Sequence, residues 1–161
     1  MDAKISFIKM VAYTTISCYI LYMFERCLYF NINALARRIN RIWNQAFQEI
    51  GLSPPHAYLL RLVLAKPGIS QKEIAQDLKL EKSTITRFVN VLEGQGLIAR
   101  KKIAMNDGRE SNVFPTQKAE KIMDALNEKG RYLHHEIEKS LGEEKLTMLV
   151  DQLKTVICHI E

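Results

Sequence analysis

The chain has 161 residues, 47% of them hydrophobic and 25% charged, which fits one compact domain with an ordinary core and excludes a large multidomain enzyme. Seven glycines and four prolines exclude collagen-like and linker character, and the hydrophobic content excludes a disordered chain. The formal net charge is +5, and the excess is local: between residues 82 and 109, Lys82, Arg87, Arg100, Lys101, Lys102 and Arg109 are balanced only by Glu93 and Asp107. Such a cluster suits a polyanionic partner, although a solvated basic face would have the same charge.

The N-terminus is an apolar run. No residue from Met10 to Phe24 is charged, which falls just short of a membrane span, and Asp2 beside Lys4 with no small-residue cleavage site makes a poor signal peptide. Three readings stay open: a helix buried in a subunit interface, a single membrane anchor, or residues upstream of a natural start at Met23. Ile5, Ile8, Ala12, Ile16 and Ile20 fall at helical spacing, while Phe7, Val11 and Tyr13 occupy the opposite side. A helix apolar all round needs a cover, which a second copy of the chain would supply.

From Asn31 to Ile50, apolar residues including Ile32, Leu35, Ile39, Ile42, Trp43 and Phe47 recur at the 3.6 period, and Gly51 offers a C-terminal cap. Ser53 followed by Pro54 reads as an N-cap and first helical position, opening a helix that Lys66-Pro67-Gly68 stops. Ser70-Gln71-Lys72-Glu73 has the spacing of a capping box and opens a short helix with Ile74, Ala75 and Leu78 inward.

After a turn around residues 79–81, a second helix runs from about Lys82 to Gly94, with Ile85, Phe88, Val89 and Leu92 on its apolar side. Ser83, Thr84, Arg87 and Asn90 then face out. Short hydroxyls can bond phosphate, while Arg and Asn can pair with guanine and adenine edges. Polar residues occupy the outer face of any surface helix, so the weight falls on the arrangement: two short helices joined by a tight turn form a helix-turn-helix.

Leu97 to Arg100 and Asn112 to Phe114 are predicted strands flanking a polar tip, Asn106-Asp107-Gly108-Arg109. An Arg at the end of a thin hairpin can reach a minor groove. Thr116 to Ser140 is helical in pattern, Gly142 breaks it, and Leu146, Leu149, Val150, Leu153, Val156, Ile157 and Ile160 form a continuous stripe on a last helix suited to pairing subunits.

In this order, Ile50 to Leu60, Ile69 to Leu78, Ser83-Thr84-Ile85-Thr86-Arg87, Leu92 to Ile98 and Asp107-Gly108-Arg109 through Thr116 resemble the multiple-antibiotic-resistance regulator (MarR) family of winged-helix transcription factors. The resemblance covers about residues 27 to 160. It implies a mainly α fold with a small β-hairpin wing, a homodimer whose N- and C-terminal helices intertwine, and a pseudo-palindromic double-stranded DNA operator. By it, Ser83, Thr84, Thr86 and Arg87 match the recognition helix and Asp107 and Arg109 the wing; Asn90 is added from helix spacing, and Arg100, Lys101 and Lys102 from their place in the wing. Ala119 departs from the Gly often found after the wing, and residues 1–26 extend beyond the usual first helix. The organisation expected is an apolar extension over 1–30, a first dimerisation helix over 31–52, the DNA-binding domain over 53–115 and C-terminal dimerisation helices over 116–161.

Family members often release DNA when a small aromatic or anionic effector binds, which requires only that the ligand prefer one of two states. Arg37, Arg41, Trp43, His56 and Tyr58 are the candidate lining here, though core packing also accounts for Trp43 and Tyr58. Cys27 is similar in placement to the reactive thiol of the organic-hydroperoxide-sensing branch, with Tyr22 and Tyr29 as donors to a thiolate. Three cysteines, Cys18, Cys27 and Cys158, match no zinc or redox spacing and indicate a reducing, cytoplasmic setting. His134 and His135 point about 100° apart on a helix, so a zinc site with His56 or Cys27 is not expected, and neither is a cofactor. The sequence lacks a phosphate-cradling Gly loop, Gly-x-Ser-x-Gly and His-Glu-x-x-His, so no enzyme is expected. The alternative is a membrane-associated regulator or adaptor held by the N-terminal run.

Overall fold

A computed structural model describes residues 22–102 and 111–160. The expectations for the apolar run through residue 21, for Cys18 and for the tip from Asn106 to Arg109 lie outside the described residues. Contacts divide the chain into two units, Met1–Ile42 and Trp43–Glu161.

In the first unit, residues 22–26 are helical, the helix breaks at Cys27, and α1 (Leu28–Gln48) begins there and continues into the second unit. The sequence pattern places the helix start at Asn31. The structure instead has the Asn31 amide donating back to the carbonyls of Cys27 (2.9 Å) and Glu25 (2.8 Å), so this residue closes the break from inside the first turn. Leu28, Tyr29, Phe30, Ile32, Leu35 and Ile42 are exposed, a large uncovered apolar surface.

The second unit holds the core. Phe47 at the end of α1 is buried, and Gly51, at φ +68°, makes the turn that an L side chain rarely adopts. Helix α2 (Pro54–Ala65) follows with Ala57, Leu59, Leu60 and Val63 inward. Ser53 occupies its N-cap position, but no side-chain cap bond forms; the hydroxyl lies 2.6 Å from His56 Nδ1 instead. The local ring competes successfully with the backbone N–H groups for the hydroxyl.

A two-residue strand, β1 (Ile69–Ser70), precedes α3 (Gln71–Leu78) and α4 (Lys82–Gly94); then come β2 (Ile98–Lys102) and β3 (Ser111–Pro115), in a sheet of order β1-β3-β2. All neighbours are antiparallel, with Ile69 opposite Val113 and Arg100 opposite Val113 on the other side. β1 has no local signature in the sequence, since two residues cannot alternate. Gly68 at φ +86° is required just before it, because a Cβ there would lie 3.1 Å from the Phe114 ring.

The capping box forms as its spacing predicts. Glu73 N–H donates to Ser70 Oγ (3.2 Å) and Ser70 N–H to Glu73 Oε2 (2.9 Å), and the Ser70 hydroxyl and backbone N–H beside the Glu73 carboxyl hold it below its ordinary pKa. α3 ends on Lys79 in the left-handed region at φ 53°, with Leu80 N–H reaching Ala75 O at 3.0 Å. After the sheet, Thr116 caps α5 (Gln117–Leu141), and Ala119 is fully buried in its first turn, so the methyl at this departure from the family pattern is accommodated. Gly142, at φ +84°, separates α5 from α6 (Glu143–His159).

The core joins Leu60 and Val63 of α2, Ile74 of α3, Ile85, Val89 and Leu92 of α4, Ile98 and Val113 of the sheet, and Leu126 and Leu133 of α5. No residue of α6 is buried. Among the described residues, no helix is long and apolar enough to cross a membrane; the candidate anchor lies outside them. Removing the cap of α3 by Ser70→Ala lowers the unfolding free energy by about 1 kcal/mol. A urea titration checks this as a shifted midpoint at unchanged slope.

Candidate nucleic-acid interface

Helix α4 is oriented by its apolar side. With Ile85, Val89 and Leu92 at 0% exposure, the helical period turns Ser83, Arg87 and Asn90 outward, and all three are exposed. Thr84 is half-buried and its hydroxyl accepts from Arg87 Nη2 at 3.3 Å, which holds the guanidinium along the helix surface. Thr86 differs. It is half-buried, with its hydroxyl 2.9 Å from Lys82 O and 3.2 Å from Gln71 Oε1, so it ties α4 to the first turn of α3.

The wing residues also divide. Arg100 turns toward α4: its Nε donates to Glu93 Oε2 (3.0 Å), its Nη2 to the same carboxylate and to Asn90 Oδ1 (2.8 Å), and its backbone N–H to Glu93 Oε1 (3.2 Å). These bonds to Arg100 hold the Glu93 carboxyl below the ordinary carboxylate pKa. Lys101 points the other way, exposed, with its ammonium 5.3 Å from the Phe114 ring centroid. Lys102 pairs with Ser111 in the backbone register, while Asp107 and Arg109 lie outside the described residues.

Beside α4, an open groove of about 490 Å³ is lined by Lys72, Gln76, Lys79, Leu80, Glu81, Lys82 and Thr84. Lys72 and Lys79 are cations that the charge count over residues 82–109 passed over, because they belong to the preceding helix and turn. A map of the outward face of α3 would have found Lys72, since Ile74 and Leu78 set the inward side.

Of the candidate lining residues, Trp43, His56 and Tyr58 belong to the second unit, where they divide between two neighbourhoods. Trp43 Nε1 donates to the Tyr58 hydroxyl at 3.2 Å, whereas His56, two residues earlier on α2, packs against Phe88 of α4 with ring centroids 4.8 Å apart. Two helical residues are separated by about 200°, which is why they part. Arg37 and Arg41 are exposed on the portion of α1 in the first unit. An apolar cavity of about 370 Å³ does exist between α2 and α5, lined by Arg61, Leu62, Leu64, Ala65, Met123 and Asn127. The Arg61 guanidinium lies over Gly130 of α5, 2.7 Å from where a Cβ would sit, so a larger residue there would displace it.

Cys27 is half-buried, Cys158 is exposed, and among the described residues no hydrogen bond reaches the Cys27 thiol; the Tyr22 hydroxyl accepts from Arg26 instead. Among the same residues no three His, Cys, Asp or Glu side chains are grouped to hold a metal.

Comparison with known proteins adds three findings. The model of the MarR family matches residues 50–110. Two HTH-type transcriptional regulators of Bacillus subtilis are similar: YybA is 31% identical over 102 residues, 63% of this chain and 67% of that protein, and YwoH is 32% identical over 105 residues, 65% and 75%. A solved structure described as a MarR family transcriptional regulator from Listeria monocytogenes complexed with 26mer DNA is 27% identical, covers 84% of this chain and 89% of that one, and superposes with a TM-score of 0.72.

His56 has a thermodynamic consequence for this surface. Its Nε2 is buried without a partner among the described residues, and burial lowers its pKa from the ordinary 6.5. The unfolded chain therefore takes up this proton first, so the contribution of a neutral His56 to stability is complete above about pH 6.5 and declines as pH falls through that value. The melting temperature falls between pH 7.5 and 5.5 in the native protein, and this fall is smaller in His56→Gln, as measured by circular dichroism across the range.

Proposed function

This chain belongs to the MarR family of transcriptional regulators, and we propose that two copies of it bind a pseudo-palindromic DNA duplex and control transcription there, most simply as a repressor. The observation that carries the reading is the orientation of α4: apolar burial leaves Ser83, Thr84, Arg87 and Asn90 on one outward strip beside a groove edged by Lys72, Lys79 and Lys82. Lys101, on the wing face away from α4, adds a cation for phosphate. Arg109 and Asp107 at the wing tip are assigned to the neighbouring minor groove by their match to the family pattern.

The dimer is supported by what one chain leaves uncovered. Met148, Val150 and Ile157 on the last helix, Ile160 just after it, and Leu28, Phe30, Ile32 and Leu35 on α1 are exposed apolar side chains, and a second copy would remove them from water. Residues 31–52 and 116–161 thus serve dimerisation and 53–115 DNA binding. A regulator of this kind works where the DNA is, in the cytoplasm.

Release by a small anionic effector is supported by the α2–α5 cavity, whose apolar walls and single guanidinium suit an aromatic carboxylate. Arg61 supplies the cation in that cavity. Cys27 is the residue through which an oxidant would act instead.

If each subunit neutralises about four phosphates, log K falls against log salt with a slope near −7. Arg109→Ala weakens binding and flattens the slope by about 1, whereas Arg87→Ala also relaxes sequence preference. Salt titrations on selected and random duplexes measure both, and unchanged slopes and preferences in the two variants would overturn the assignment. Benzoate in millimolar amounts weakens operator binding by the native protein and not by Arg61→Ala; equal weakening in both removes Arg61 from the effector site.

A further inference from the structure

The cluster of Arg100, Glu93 and Asn90 sets the chemical polarity of the outward strip of α4. Arginine carries five N–H donors and no acceptor, so the atom of the Asn90 amide that faces it must be the oxygen. Arg100 Nη2 lies 2.8 Å from Asn90 Oδ1, and the guanidinium cannot swing away easily, because its Nε and Nη2 are both held on Glu93 Oε2. The carboxylate is itself tethered by the Arg100 backbone N–H, inside the β2 strand. A strand, a carboxylate and a guanidinium therefore hold one side-chain amide on the recognition surface in one of its two flip states.

The consequence is which group Asn90 has left to offer. Asn90 is exposed, and no acceptor among the described residues takes the hydrogens of its Nδ2. An adenine edge needs an amide that accepts from N6–H while donating to N7, whereas a guanine edge presents two acceptors, O6 and N7. The guanidinium takes one of the two lone pairs of Oδ1, and a donor approaching the other does so beside guanidinium hydrogens of the same partial charge, which weakens an adenine contact more than a guanine one. We propose that Asn90, oriented by the Arg100–Glu93 pair, acts as a donor that reads guanine and discriminates against adenine at one position of each half-site. Arg100 and Glu93 are positioning residues, and the internal pairing of Arg100 leaves phosphate contact to Lys101 and its neighbours.

This inference rests on the DNA-binding reading above, and the test separates the two. Binding selection from duplexes with a randomised core, run with the native protein and Asn90→Ala, identifies the position whose preference the substitution erases. The expected base there is guanine, favoured over adenine by about fivefold or more in the native protein. Replacing that guanine by 7-deazaguanine weakens the native protein and leaves Asn90→Ala unaffected. Asn90→Asp, isosteric and acceptor-only, loses the guanine preference, and Arg100→Met, which keeps the apolar stem and removes the donors, admits adenine at that position alone. A purely structural loss in Arg100→Met would instead lower affinity equally for every sequence and overturn the positioning role. A native preference for adenine at the position, or an Asn90→Ala protein weakened uniformly with no base preference changed, overturns the proposal while the DNA-binding reading stands. A native protein with no preferred duplex overturns both.

Discussion

The packing of three side chains, Ile85, Val89 and Leu92, against the core of the second unit is the constraint on which the proposed interface depends. Full burial of an aliphatic side chain of this size contributes about 1.5–3 kcal/mol, so the three together resist rotation of α4 more strongly than any surface contact could promote it. A single-residue slip would turn the helix by about 100° and carry Arg87 toward the core. The apolar side thus decides which polar residues meet a partner, and polar contacts act on an orientation that is already set.

Those polar contacts determine chemistry instead. Thr86 and Gln71 tie α4 to α3, and Arg100 with Glu93 ties it to β2, so the three elements proposed to meet DNA are connected by side chains as well as by core. The basic stretch is correspondingly less uniform than its charge suggests. One of its cations is paired internally and another, Lys101, lies on the far face of the same strand, while Lys72 and Lys79 contribute from outside it. Counting charge locates a polyanion-binding region, but the direction of each side chain decides its role.

The uncovered apolar side chains of α1 and α6 bear on the whole molecule in a different way. A last helix with no buried residue is a poor end to a monomer and a suitable half of a paired interface. Pairing through the termini would place two recognition helices on one assembly, which is the condition for reading two half-sites. The cavity between α2 and α5 lies between the proposed DNA-binding domain and a helix proposed for pairing, where a ligand that preferred one spacing of the two would shift the equilibrium toward it.

What the sequence determined by itself was local. The capping box at Ser70, the stop at Gly51, the break at Gly142 and the inward face of α4 all depend on residues within a turn or two of one another, where period and cap chemistry act directly. Even the division of His56 from Tyr58 was available in principle, since two residues on a helix face apart. Tertiary structure alone decided the rest. The strand Ile69–Ser70 exists because Val113 and Asn112 lie beside it, Ser53 serves the ring of His56, which Phe88 of α4 packs against, rather than the free N–H groups of α2, and Arg100 faces Glu93 because the strand lies beside α4. Each of these depends on groups that chain folding brings together from different elements. Side-chain period records which face is apolar, but it carries no record of what that face, or the polar residues beside it, will meet.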